Sequence, residues 1–436
     1  MKISFKKEIV FNYLYIIIML ILILLNQLIN EDIIINNIIT LVLIVIFAIC
    51  SAYKLSINLI IKNFIFFIIV FHAKINSLLT GTDYSDTSYR GFFKIHFASV
   101  YIFTTFIFLI LNKRIDNKTL FKHFYKSEIY LLLSIFYFIL ITIFERGVNG
   151  IPQIIDIYLN TLIICLTAKN NVKVKDIYNF ISKLFYINLV ISILEQITRT
   201  NFLYNFFGEI KYVEYFTAGI LRSMGITDHP LTNAVINVVW LYMGLVCNNK
   251  LWILYSSIGI ILTLSRFAII LLIVTITLSL FLGTKKNKVS LIIYLMVIIT
   301  LIFSFKDILI ERNTITYDSI VIRKLALQKL ISGQMNIIGK GIGESADELS
   351  RELLNNYLIE NPWLILVNDA GIIGTTLFIL MLIFVIKEHK GRIKKIAILS
   401  VIAMISSFMS FGAKVPIYGF VFATINLYKY QKKNIN

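Results

Sequence analysis

Charge is scarce in this 436-residue chain: 15% of its residues are Asp, Glu, Lys or Arg, against about a quarter in soluble domains. With 58% hydrophobic residues and a mean hydropathy of +0.82, the chain is too apolar for water. Proline is also rare, at four residues, whereas Phe and Tyr number 34 and 23, as suits lipid-facing helices with interfacial aromatic rings. The three cysteines, Cys50, Cys165 and Cys247, stand at or near ends of apolar runs assigned below to the cytoplasmic side. No pair shares an outer loop, so no structural disulfide is expected. There is no P-loop, no zinc-ligand spacing and no nucleophile elbow, and His72, His96, His123, His229 and His389 are scattered. ATP hydrolysis, metalloprotease chemistry and a resident cofactor or metal are therefore not expected. The net charge of +18 comes from short Lys/Arg clusters between apolar runs, not from one basic patch, which argues against nucleic acid as a partner.

What the chain has in abundance is span-length apolar sequence. A helix crosses the hydrocarbon layer in about 20 residues, and on that measure about fourteen spans are expected. They are 10–29, 33–52, 63–79, 96–112, 128–144, 151–168, 177–198, 231–247, 251–264, 267–283, 289–305, 363–386, 396–411 and 415–428. Dropping the two shortest, 251–264 and 415–428, leaves about twelve. The expected fold is all-α: one polytopic integral membrane domain over residues 1–436. Lys2, Lys6 and Lys7 precede the apolar run Ile9–Leu25, which is too long for a signal peptide and lacks a cleavage site, so it reads as a retained first span. Basic clusters at 113–126, 169–175, 285–288, 387–395 and 429–433 all fall on the side of the basic N-terminus, while Glu31, Asp32, Asp83, Asp86 and Glu145 fall on the other. The positive-inside rule places both termini in the cytoplasm. Two outer segments are long, 199–230 and 306–362, the second lying before the last three spans. Loops of that length are usually functional. Within it, Glu344–Leu358 has helical spacing, with Ser345 and Glu348 as a capping box, and a second helix is expected around Tyr317–Ile331.

Polar residues gather at the outer ends. Arg222 through Pro230 closes the first long loop, and Arg222 reads equally as a snorkelling anchor or as a ligand-binding group. Arg266, at the outer turn of a tight hairpin, runs against the positive-inside bias, which a polar ligand would explain. Arg323 taken alone reads as the solvated face of a helix; three outer arginines together make a bidentate phosphate site. Gly339-Lys340-Gly341-Ile342-Gly343 precedes a helix, but Glu344, Asp347 and Glu348 already supply negative charge there. A turn is therefore preferred to a phosphate cradle. Glu360 and Asp369 are the acids best placed to act as a base, although Asp369 is equally suited to bonding neighbouring helices. His229 and Asp228 are further base candidates. Glu195 has Arg199 one turn away as a pairing partner. His72 and Lys74 read as hydrated interface residues.

In order along the chain, Arg222–Pro230, Ser265-Arg266, Arg323 before the glycine-rich turn, Glu360-Asn361-Pro362-Trp363 and Asp369-Ala370-Gly371 form a pattern. Over roughly its second half the chain resembles the Wzy-type O-antigen and capsular polysaccharide repeat-unit polymerases, within the superfamily that includes the O-antigen ligases. Ligases of that superfamily typically carry His where this sequence has Glu360, a departure that points away from ligase activity. The resemblance implies an inverting glycosyltransferase of the bacterial cytoplasmic membrane. It would move a glycan from a polyprenyl-pyrophosphate donor to an acceptor sugar hydroxyl at the outer face, with a flippase and a chain-length regulator as partners. It also implies roles: Arg222, Arg266 and Arg323 for the pyrophosphate, Glu360 and then His229 as base, and Gly341, Asn361 and Asp369 in support. A lipid flippase is the alternative reading, but no related halves with broken helices are visible.

Overall fold

The computed structural model describes residues 5–29, 33–71, 95–115, 124–169, 172–202, 216–217, 219–227, 229–282, 337–345, 362–408 and 417–430. Among these the chain is almost wholly helical. A helix overlaps each expected apolar segment except 289–305, which lies outside the described residues, as do 72–79, 283, 409–411 and 415–416 of four other segments. They are α1 Phe5–Ile29, α2 Ile33–Lys54, α3 Ile57–Val70, α4 Phe97–Leu111, α5 Lys126–Arg146, α6 Ile151–Ala168, α7 Val174–Thr198, α8 Pro230–Cys247, α9 Lys250–Leu262, α10 Arg266–Leu282, α11 Pro362–Glu388, α12 Arg392–Phe408 and α13 Ile417–Leu427. Six stretches, in α2, α5, α6, α7, α8 and α11, are long and apolar enough to cross a membrane. A two-residue hairpin, β1 Phe216–Thr217 with β2 Ile220–Leu221, adds antiparallel pairing inside the first long loop.

Helix α3 starts at Ile57, six residues before the apolar segment read from sequence. Lys62 does not end it: the ammonium lies 6.0 Å from the Phe180 ring centroid, so the long side chain packs its stem and keeps the helix running. Both of the short segments are helical, and every residue of α13 from Ile417 to Leu427 is buried. Burial separates centre from edge. The apolar stretch of α8 is 83% buried inside the protein and that of α2 only 39%. On α1, Val10, Leu14, Ile17, Ile21 and Leu25 are exposed at helical spacing. A continuous apolar stripe of this kind is unfavourable in water and stable against lipid. Buried amides tie the edge to the centre, since Asn12 and Asn63 exchange two hydrogen bonds of 2.9 and 2.8 Å between α1 and α3.

Helix α6 is not regular. Residues Ile155–Leu159 form a π turn, the wider turn that often marks a functional or strained position. It carries Asp156, a buried carboxylate that accepts from the Ser99 hydroxyl at 2.6 Å and from the His96 amide at 3.1 Å. A Cβ at Gly419 of α13 would stand 2.5 Å from the Asp156 carbonyl oxygen, so α13 packs backbone to backbone against the widened turn.

At the far end of α5, Glu128 is shared by two buried ammonium groups, Lys169 at 2.8 Å and Lys429 at 3.6 Å. Lys429 also reaches Glu388 at 3.5 Å, and Ser127 donates to Glu388 through its amide at 2.9 Å. The network joins the ends of α5, α6, α11 and α13. Removing one partner of a buried pair strands the other charge, so Glu128→Gln is expected to cost about 3–5 kcal/mol. A thermal unfolding midpoint unchanged from wild type would refute this. Next to it, just past α11, His389 is buried with Nδ1 2.7 Å from the Val385 carbonyl oxygen. Burial holds its pKa below the ordinary value of 6.5. The unfolded chain therefore takes up a proton more readily than the folded one, and stability should fall as pH drops through about 6.5. His389→Gln should flatten that dependence in melts between pH 5 and 8.

Candidate functional site

The loop before α8 is built onto one face of α7. Asn188, Ser192, Glu195 and Gln196 follow the i, i+4, i+7, i+8 spacing that puts side chains on one helical stripe. Asn188 Oδ1 accepts from the Ile226 amide at 2.9 Å. Glu195 Oε2 accepts from Ser223 Oγ at 2.7 Å and from the Met224 and Gly225 amides, each at 2.9 Å. Its other oxygen takes Asn201 Nδ2 at 2.6 Å and the Phe202 amide at 3.3 Å. Arg199 occupies the left-handed C-cap of α7, while the carboxylate one turn back is filled by these donors. Gly225 has φ +59°, and a Cβ there would meet Asn188 Oδ1 at 2.2 Å, so the turn needs glycine for both conformation and space.

The same loop meets the hairpin between α9 and α10. Leu264 adopts a left-handed φ of 49° that ends α9. This leaves the carbonyls of Leu262 and Thr263 open to other donors. Ser223 N donates to Leu262 O at 3.1 Å, and Arg222 Nε donates to Thr263 O at 3.2 Å. Gln196 Nε2 bridges Leu221 O at 2.6 Å and Leu262 O at 3.5 Å. Arg222 is almost fully buried, and Arg266 follows Thr263 by three residues as the first residue of α10. Two of the predicted arginine segments, distant in sequence, are thereby joined. His229 sits at the entry to α8 as its N-cap, with Nδ1 accepting from the Leu231 amide at 3.1 Å. That bond leaves the proton on Nε2, so the ring is a hydrogen-bond donor in this geometry.

A second polar centre surrounds Asp369, which is fully buried in α11. Its carboxylate accepts from Gly343 N at 2.7 Å, Ser345 N at 2.8 Å and Ser345 Oγ at 2.6 Å. Its carbonyl oxygen accepts from Lys340 N and Gly341 N at 3.1 and 2.9 Å, Ile342 N donates to Thr142 Oγ1 at 3.0 Å, and Glu344 N donates to Gly341 O. Every amide from 340 to 345 is thus engaged within the protein. The glycine-rich run is a turn whose donors are taken by the carbonyl and carboxylate oxygens of Asp369 and by Thr142, so in this arrangement they are not presented to a phosphate. Ser345, expected as a capping residue, has its hydroxyl on Asp369; the helix read over 344–358 otherwise lies outside the described residues. Arg146, at the end of α5, donates to Ile342 O and pairs with Glu344 at 2.8 Å.

Beyond Asp369, Gly371 breaks α11 with φ 67° and ψ −178°. Trp363 and Leu382 nevertheless line one small apolar recess, with Leu366, Phe378, Ile402 and Phe422. On a straight helix those two residues would be roughly 28 Å apart, so the break folds the first segment back toward the second.

Glu360, Asn361, Arg323 and Asp228 lie outside the described residues. No group of three or more His, Cys, Asp or Glu able to hold a metal occurs among the described residues. Three polar features of the structure go beyond the sequence expectations. The stripe on α7 follows helical spacing, although only Glu195 stands out in it as a charge, and Arg146 and Asp156 carry no local motif. No protein-family model and no curated protein matches the chain.

Proposed function

We propose that this protein is a polytopic glycosyltransferase of the bacterial cytoplasmic membrane that polymerises polyprenyl-pyrophosphate-linked glycan repeat units at the outer face. The observation that carries the reading is the contact of Arg222 with Thr263, three residues before Arg266. It brings together two cationic segments whose positions run against the positive-inside bias. As the glycosidic bond breaks, negative charge grows on the leaving pyrophosphate. Guanidinium groups fixed in a poorly hydrated site stabilise that charge without reorganising. Arg222 and Arg266 take this role, with Arg323 as the third cation.

The acceptor hydroxyl needs a base. His229, capping α8 through Nδ1, suits donation of a hydrogen bond, and Glu360, the first choice from the sequence, is assigned as the base. Direct displacement inverts the anomeric centre. On this reading the chain has about fourteen spans, with both termini in the cytoplasm.

Mass spectrometry of lipid-linked glycans in a deletion strain tests it. Single repeat units accumulating on the outer face are the expected result. Single units held on the inner face would identify a flippase, and full-length polymer left on its carrier would identify a ligase.

A further inference from the structure

We infer that Glu195 is a positioning residue for Arg222, an inference that rests on the proposed transferase reading. Glu195 is 1% exposed at the last turn of α7, where an unpaired carboxylate is strongly disfavoured. Five donors surround its two oxygens, which uses up the roughly four lone-pair sites of a carboxylate. It therefore has no capacity left to take a proton from a substrate or to contact one directly. Its action passes through what it holds.

The oxygens are divided between two segments. Oε1 binds Asn201 and Phe202, just past α7. Oε2 binds Ser223, Met224 and Gly225, the three residues directly after Arg222. The Arg222 backbone is thus fixed on its C-terminal side by a rigid helix, while its side chain is fixed by the Thr263 carbonyl. Charge matters as well as shape. Three donors converge on one oxygen, and a full negative charge holds them more firmly than a neutral amide oxygen does. In Glu195→Gln, the amide oxygen would keep the 223–225 side, and the new NH₂ would face Asn201, whose own amide can turn to accept it, while the longer Phe202 N–H bond would be lost. The turn would remain, held less tightly.

The test uses full-length protein reconstituted in vesicles with a polyprenyl-pyrophosphate oligosaccharide, comparing Glu195→Gln, Arg222→Ala and the double variant. Glu195→Gln should lower kcat/KM for the donor about tenfold, the scale of one weakened charge-assisted hydrogen bond. The double variant should be no worse than Arg222→Ala alone, because both changes remove the same placed guanidinium. Wild-type kinetics in Glu195→Gln overturn the proposal, as do additive losses in the double variant. Full activity in Arg222→Ala instead overturns the assigned role of Arg222 and the transferase reading built on it. Should Glu195→Gln reduce the yield of folded protein, Ser223→Ala removes one of the same three donors and carries the identical comparison.

Discussion

Arg222→Ala and Arg266→Ala are each expected to abolish polymer while leaving the protein inserted at wild-type level. Loss of one preorganised donor to a developing anion typically lowers kcat by about 10²–10³-fold. The two variants should differ in a second property. Arg222 is nearly buried and bonded to Thr263, so its removal also loosens the contact between the α8 loop and the α9–α10 hairpin. Arg266 opens α10 at a half-exposed position, and its loss should leave the thermal midpoint closer to wild type. Arg222→Lys is a sharper variant: it keeps the charge and loses the planar fork, so it should remain well below wild type. Polymer length on a gel, with the inserted protein quantified by immunoblot, reads all of these. Normal polymer from both alanine variants would end the pyrophosphate assignment.

The largest effect on stability is expected at Gly339 and Gly371, where two stretches of backbone cross. A Cβ on Gly339 would lie 2.6 Å from the Asp369 carbonyl oxygen, the Ala370 carbonyl carbon and the Gly371 nitrogen. One on Gly371 would lie 2.4 Å from the Ile337 carbonyl oxygen. Both residues also have positive φ, +102° and +67°. The obstacles are backbone atoms, which cannot rotate aside as a side-chain end can. Gly339→Ala should therefore cost about 4 kcal/mol or more, in the range reserved for overpacking combined with strain. Gly391 supplies the control, since it has φ +103° with nothing within 4 Å of a Cβ. Gly391→Ala should show the conformational penalty alone, about 1–2 kcal/mol. Equal melting temperatures for the two variants would show that the crossing is looser than the structure gives it.

The helical segments were legible because apolar length is a coarse signal that survives local error. The sequence placed 151–168 at the bounds where α6 stands, and it placed the short 415–428 segment close to α13. It missed the start of α3 because a lysine ends an apolar run on paper but not in space. The glycine-rich run was readable as a turn from the neighbouring negative charge. Its anchor on Asp369 was not, because the bond joins Ser345 to a residue 24 positions away. The union of Arg222 with the Arg266 hairpin was equally hidden. It depends on main-chain carbonyls at Leu262 and Thr263, which no residue type advertises. The stripe Asn188, Ser192, Glu195, Gln196 could have been found from periodicity alone. In a span, one polar face points to another part of the protein rather than to water, and its spacing gives the face that a loop will cover. The π turn of α6 had no comparable signature.

The clasp of Ser345 on Asp369 also changes how the chain around Glu360 should be counted. Glu360 and Asn361 belong to a segment of 57 residues if measured from Lys306 to Pro362. With the clasp closed, they ride on a ring of 24 residues tied at its base. The entropy of ring closure grows with the logarithm of length, so the shorter ring lowers the cost of fixing that stretch by about 0.8 kcal/mol. The buckle is fastened by the chain's own atoms, so the gain does not depend on a ligand. Asp369→Ala would remove the Ser345 anchor but leave the Lys340 and Gly341 amides on the main-chain carbonyl of residue 369, so the ring would lengthen only slightly and most of the gain would remain.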